Sequence, residues 1–202
     1  VSRPARDEGL RPAVLLAAYA RGAFPMDSEE DAGGPVPFYE ADPRAVLPVE
    51  GFRVPRSVAR AMRRGGLEVR VDGAFREVCE ACAVRDEGTW LSPRLVRAYC
   101  ALHAIGYAHS VEAWSEGRLV GGLFGVALGG LFTSESMFHR LPDAGNVALV
   151  ATAARLRERG FTLWDIQMAT PHTERFGAER ITRREYRRRL GRAVGLDRAF
   201  GG

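Results

Sequence analysis

Polar and apolar positions change period along this chain, and the changes mark its elements. Between residues 109 and 138 the pattern is of three short strands, at about 110–114, 118–127 and 131–134, with turns at Ser115-Glu116-Gly117 and Leu128-Gly129-Gly130. Apolar residues flanking glycine-containing breaks of this length form consecutive hairpins. Elsewhere the spacing is mostly helical. Val14, Leu15, Ala18 and Tyr19 share one face of a helix over 10–21 that Gly22 ends. Pro55 opens a helix to residue 64, stopped by Gly65-Gly66. Ser92 is a capping serine before Pro93 at the first helical position, for a helix to residue 105. Val147, Leu149, Val150, Ala153, Ala154 and Leu156 cover much of a helix over 147–158.

Leu67, Val69 and Val71 alternate with Glu68 and Arg70 as a half-buried strand, and Asp72 then stands where it can cap a helix over 73–84. Residues 36–39 and 45–48 are short extended pieces around a turn at Asp42-Pro43-Arg44, while 27–37 is an acidic, Gly- and Pro-rich loop. Residues 161–166 make a buried strand, a short helix starts at Thr170 or Pro171 and runs to 175, and Ile181 begins a last strand before a basic tail. The fold class is therefore mixed α/β, a largely antiparallel sheet with helices packed against it. The less regular segment 1–66 reads as a small N-terminal subdomain ahead of a main domain over 67–202.

With 202 residues, 46% of them hydrophobic, the chain can bury one sizeable core. No apolar run reaches the ~20 residues needed to span a bilayer, and the charged first twelve residues lack a following signal-peptide apolar region. A cytoplasmic protein with no membrane partner is expected. Cys79 and Cys82 share a helical face with Phe75, Val78 and Ala83, so they read as small buried hydrophobes and not as zinc ligands. The net charge is +4, and every positive side chain is arginine. Arg53, Arg56, Arg60, Arg63 and Arg64 form one cluster without an acid, and seven arginines between Arg180 and Arg192 form another with only Glu185 among them. Each cluster is either a site for phosphate or carboxylate partners or a solvated helix face. The chain has no βα alternation with a glycine fingerprint, no HExxH, and, lacking lysine, no Walker phosphate loop.

Three places carry candidate chemistry. Glu135 follows the third strand among Phe132, Met137 and Phe138, where a carboxylate either pairs locally or marks a site. Gly121, Gly122 and Gly125 interrupt the middle strand, which marks a bulge or a close approach to the backbone. Asp165, Gln167, Thr170 and His172 gather at the end of the late strand. Asp165 and Gln167 are two apart and share a face, either acting together or capping the strand end.

The segments YARGAFPM, DPRAVLP, TWLSP, ESMF, RGFTLWDIQ, TPHTERFGA and ITRREY occur in order over about residues 19–186. On these the chain resembles bacterial leucyl/phenylalanyl-tRNA–protein transferases. The resemblance implies a main domain similar in fold to acyl-CoA N-acetyltransferases. It also implies transfer of Leu, less readily Phe, from aminoacyl-tRNA to the free amine of proteins beginning with Arg or Lys, marking them for N-degron degradation. Aminoacyl-tRNA is then a substrate, and no cofactor, ATP or metal is expected. The protein is expected to be a monomer whose partners are Leu-tRNA or Phe-tRNA and the acceptor protein.

By the same resemblance Glu135 lies near the reacting centre, and Asp165 and Gln167 are the family's D-x-Q pair, which either aids deprotonation of the amine or positions it. Trp90 of TWLSP stacks near the terminal adenosine, and Phe38 and Tyr39 stand where the family carries a tryptophan-rich stretch. Leu123, Met137, Trp164 and Leu156 form the aminoacyl pocket, and Arg56, Arg60, Arg63 and Arg64 hold tRNA phosphates, with the 183–189 cluster as a further candidate. Aminolysis of an ester needs a neutral amine, placement and a stabilised oxyanion. A glutamine is a poor base, so Gln167 is expected to orient, while Glu135 and Asp165 attract a basic first residue. The strand glycines then form a floor for the aminoacyl end. Met26, Thr133, Ser134, His139 and Asn146 depart from the family pattern, which bears on donor and acceptor preference. Other readings are an aminoacyl-tRNA-dependent or acetyl-CoA-dependent N-acyltransferase with another amine acceptor, and a non-enzymatic RNA-binding adaptor.

Overall fold

The computed structural model describes residues 10–27, 34–86 and 88–201. Most of the acidic loop expected at 27–37 lies outside these residues. Helix α1 (Pro12–Tyr19) turns Leu15, Ala18 and Tyr19 inward, and β1 (Phe24–Pro25) pairs with β2 (Phe38–Tyr39) as a small sheet of their own. Strand β3 (Arg44–Leu47), fully buried, is followed by α2 (Arg56–Arg64), β4 (Glu68–Val71), α3 (Phe75–Ala83) and α4 (Pro93–Ala104). The hairpins are β5 (Ala108–Ser115), β6 (Arg118–Leu128) and β7 (Leu131–His139). Then come α5 (Ala144–Glu158), β8 (Leu163–Gln167), α6 (Pro171–Glu174), β9 (Glu179–Ile181) and α7 (Arg183–Ala193).

One seven-stranded sheet, in the order β4-β5-β6-β7-β8-β3-β9, organises the molecule. Every neighbouring pair in it is antiparallel except β7 and β8, which α5 connects in parallel. The mixed α/β class with a largely antiparallel sheet is thus as expected. Helices α1, α3 and α4 enclose one apolar core with Phe124, Val126 and Phe138 of the sheet. Helix α5 encloses a second with Val111, Leu123, Phe132 and Trp164, to which α2 adds Val58. Helix α7 covers Val46, Leu131 and Leu163 with Tyr186, Leu190 and Ala193. Among the described residues no helix is long and apolar enough to cross a membrane.

Local signals hold where they are chemical. The Ser92 hydroxyl accepts the Leu95 N–H at the start of α4, and Thr170 caps α6 in a reciprocal box with Thr173. Cys79 and Cys82 are buried in α3, and burial pushes the Cys82 thiol up to about 12, so both are packing groups.

Four expectations are corrected. Strand β4 is not half-buried: it is the sheet edge, and Val69 is 41% exposed. Asp72 does not cap α3; its carboxylate binds His109 and the Ser110 N–H, while Glu112 takes the Ala74 N–H at the helix start. Ile181 ends the last strand and does not begin it, and the basic tail after it is helix α7. Finally, the strand glycines are not a substrate floor, because the protein's own atoms fill the space above them. A Cβ on Gly121 would lie 2.6 Å from that of Ala144 at the start of α5, and one on Gly125 would strike the Thr133 carbonyl and the Phe132 ring.

Candidate active site at a strand fork

The parallel strands β7 and β8 run together for only three rungs, Leu131 with Leu163, Phe132 with Trp164 and Thr133 with Asp165. Beyond Thr133, β7 continues to His139 with β6 as its partner, and β8 continues to Gln167 beside β3. The sheet therefore forks. Glu135 stands in this fork for a backbone reason. Phe124 pairs with Ser136 and Gly125 with Ser134, so Glu135 is the extra residue of a β-bulge. A bulge re-aims a side chain out of the alternation. Glu135 is thus inside strand β7, where sequence pattern ended that strand at 134.

The Glu135 carboxylate accepts from the Tyr99 hydroxyl at 3.1 Å, and Tyr99 is in turn 2.9 Å from the Tyr19 hydroxyl. The Gln167 side-chain amide approaches Glu135 across the fork at 3.5 Å, a weak contact. Burial raises the Glu135 carboxyl from 4.5 to about 8, against the opposing pull of the two tyrosine hydroxyls; the charge of Asp165 adds to the rise and Arg44 opposes it. Burial, and then the charge of Glu135, push both tyrosines well above their ordinary range, so they remain donors.

Asp165 lies beneath, fully buried, and it is saturated. Arg44 donates to both its oxygens at 2.8 and 2.6 Å, Tyr186 donates at 2.6 Å and the Gln167 backbone N–H at 2.9 Å. The Arg44 guanidinium also lies over the rings of Phe24 and Tyr186 and donates to the Gly22 carbonyl. Asp165 therefore has no room for an incoming cation, contrary to the attraction expected of it. It meets Gln167 through the main chain, and that residue holds a left-handed backbone with φ 56°. A non-glycine residue pays strain there and keeps it only when neighbours hold it.

Leu123 pairs with Met137 across β6 and β7, and both share one apolar cluster with Leu156 and Trp164 on the α5 side. Leu123, Leu156 and Trp164 are fully buried, Met137 is half-buried, and the Trp164 indole donates to Ser134 beside the bulge. Trp90, Phe38 and Met26 each pack at the rim of the other core. Their segments are joined by the Asp27 N–H to the Trp90 carbonyl and the Met26 N–H to the Pro37 carbonyl. Tyr39 is 47% exposed on β2.

The two arginine clusters separate. Arg56, Arg60, Arg63 and Arg64 are exposed on α2 and make no ion pair among the described residues. On α7, by contrast, Arg183 and Arg187 meet Glu40, and Arg188 and Arg189 meet Glu185. Among the described residues no group of three or more His, Cys, Asp or Glu side chains can hold a metal.

Sequence pattern missed Tyr19, Tyr99, Arg44 and Tyr186. The tyrosines of α1 and α4 look like core residues at helical spacing, although Tyr19 opens YARGAFPM. Arg44 and Tyr186 lie within DPRAVLP and ITRREY, and that membership was the available signal.

The model of the leucyl/phenylalanyl-tRNA protein transferase family matches residues 46–191, and that of its N-terminal domain matches 9–42. A leucyl/phenylalanyl-tRNA–protein transferase of Rubrobacter xylanophilus is 53% identical over 192 residues, covering 95% of this chain and 98% of the relative. One from Herpetosiphon aurantiacus is 48% identical with the same coverage. Among solved structures, L-PGS from Bacillus licheniformis aligns with a TM-score of 0.47 at 15% identity, over 79% of this chain and 57% of that one. A ribosomal-protein-alanine N-acetyltransferase from Brucella melitensis aligns at 0.39 and 13%, over 55% and 86%. With both family models covering nearly the whole chain and relatives near 50% identity, this chain belongs to the leucyl/phenylalanyl-tRNA–protein transferase family, a family of aminoacyltransferases.

Proposed function

We propose that the protein transfers leucine, and less readily phenylalanine, from aminoacyl-tRNA to the free N-terminal amine of proteins beginning with Arg or Lys, and so marks them for N-degron degradation. The observation that carries the reading is Glu135 at the strand fork, facing Gln167 beside an apolar cluster, with its carboxyl raised to about 8. An α-amino group titrates near ~7.7–8.0. Glu135 is thus matched to take a proton from an acceptor amine near pH 8, which a glutamate of ordinary pKa does poorly.

In this reading the acceptor nitrogen attacks the ester carbonyl carbon. A C–N bond forms, the C–O bond to the ribose breaks, and the amine's proton passes to Glu135 and then to the ribose oxygen. The Gln167 amide N–H, loosely held at 3.5 Å, donates to the developing oxyanion. Asp165 and Arg44 are positioning residues that hold Gln167 in its strained backbone. The acyl side chain packs against Met137 and its neighbours Leu123, Leu156 and Trp164, and Trp90 with Phe38 and Tyr39 faces the terminal adenosine. The arginines of α2, which make no ion pair among the described residues, meet phosphates. The ester bond is already activated, so no cofactor enters the proposed step.

The test is transfer of radiolabelled leucine from Leu-tRNA to peptides beginning with Arg, Lys or Ala. Labelling of the Arg and Lys peptides above the Ala peptide is expected. No labelling of either basic peptide, beside an active relative, overturns the reading.

A further inference from the structure

Thr89 and Leu91, the two neighbours of Trp90, line a groove of about 490 Å³ between α3 and α4. Ala83, Pro93 and Val96 add apolar wall, and Arg76, Arg97 and Glu80 complete the lining. Arg97 is exposed and makes no ion pair among the described residues. Arg76 reaches Glu80 only at 3.8 Å, with both side chains more than half exposed. Two guanidiniums against one loosely held carboxylate leave the groove positive. It belongs neither to the fork nor to the arginine face of α2.

We propose that this groove seats the nucleotide immediately 5′ of the aminoacylated adenosine. The inference rests on the donor reading above, and it adds a second nucleotide subsite. Single-stranded RNA ends are gripped base by base, on flat apolar or guanidinium surfaces, with phosphates on arginine. The groove offers these parts in one place: an apolar wall, two guanidiniums, and a volume within the range of small-ligand pockets. Its position decides the order. Trp90 packs at the core rim, and its chain neighbours Thr89 and Leu91 line the groove. With the last base at Trp90, the next nucleotide in this placement lies in the groove that Arg97 lines. An acidic stretch of the acceptor protein matches the charge but not the place, because the acceptor's amine is at Glu135.

The test compares three donors: leucyl-adenosine, a leucylated CCA trinucleotide and complete Leu-tRNA, each with an Arg-initiated peptide. In Arg97→Glu the ratio of kcat/KM for leucyl-CCA to that for leucyl-adenosine is expected to fall about tenfold, with Leu-tRNA falling alongside leucyl-CCA. Arg97→Lys, which keeps the charge but not the planar fork, falls between. An unchanged ratio in Arg97→Glu overturns the proposal. A loss that tracks acidity in the acceptor peptide and not the donor also overturns it, in favour of an acceptor groove. Wild-type protein that transfers from none of the three donors fails the underlying reading instead, and is recognised by that.

Discussion

At the scale of single residues, the buried Glu135 carboxyl ties stability to pH. Its folded carboxyl binds a proton up to about pH 8, whereas in the unfolded chain it loses that proton near 4.5. The folded state therefore binds more protons between those values, and wild-type stability falls as pH rises from about 4.5 to about 8. Glu135→Gln keeps the shape and removes the titration. It is expected to lower kcat by roughly 10²–10⁴ and to abolish the rise of kcat with pH through about 8. It should also gain stability over wild type, on the order of 5 kcal/mol above pH 8 and little near pH 5. Rate profiles and urea unfolding at about pH 5 and about pH 8.5 check both arms; a variant as active as wild type, or one with the same pH-dependent stability, removes Glu135 as the base. Asp165→Ala is a poorer probe. It strands Arg44 and leaves Tyr186 without its acceptor, so lost activity would be confounded with the several kcal/mol cost of an unpaired buried charge.

At the scale of elements, the site depends on one irregularity in β7. Gly125 lies opposite the bulge, and it must be glycine because the Phe132 ring and the Thr133 carbonyl occupy the position of its Cβ. Gly125→Ala is expected to cost about 1–3 kcal/mol by overpacking and to lower kcat by shifting Glu135, with the KM for tRNA nearly unchanged. Urea unfolding and steady-state kinetics read these separately, and unaltered stability would show that the bulge has room to give. The glycine was legible in the sequence as an anomaly of β6, but its meaning was not. What it admits is a neighbouring strand's ring and carbonyl, and strand pairing at long range leaves no local trace. The same reason explains the other errors. The cap at Ser92 was readable because partner and cap are three residues apart. The edge position of β4, the diversion of Asp72 to His109, and the placement of β3 between β8 and β9 depend on residues far away in sequence. Of the candidate site, Glu135, Asp165 and Gln167 were singled out through motif; the hydrogen bond that links Tyr19 to Tyr99 leaves no trace in helical periodicity.

For the whole molecule, the distribution of charge says more than its sum. A net +4 is modest, and both arginine clusters looked alike in sequence. Folding treats them differently. Helix α7 lies against β3 and β8, and its arginines are drawn to Glu40, Asp42 and Glu185. Helix α2 buries only Val58 and leaves Arg56, Arg60, Arg63 and Arg64 without acids among the described residues. Exposed charges that already have partners add little to a long-range field, whereas uncompensated ones release counterions when they meet phosphate. The field that meets a polyanion is therefore expected on the α2 side. Arg56→Glu with Arg60→Glu should weaken tRNA binding and reduce the slope of log K against log salt by about two, one for each phosphate left without its arginine. Arg187→Glu with Arg188→Glu should change that slope much less, since both guanidiniums are already engaged. Binding isotherms at several salt concentrations measure each slope directly. A larger change for the α7 pair than for the α2 pair would move the phosphate track to α7, and would require that the ion pairs to Glu40 and Glu185 open when RNA binds.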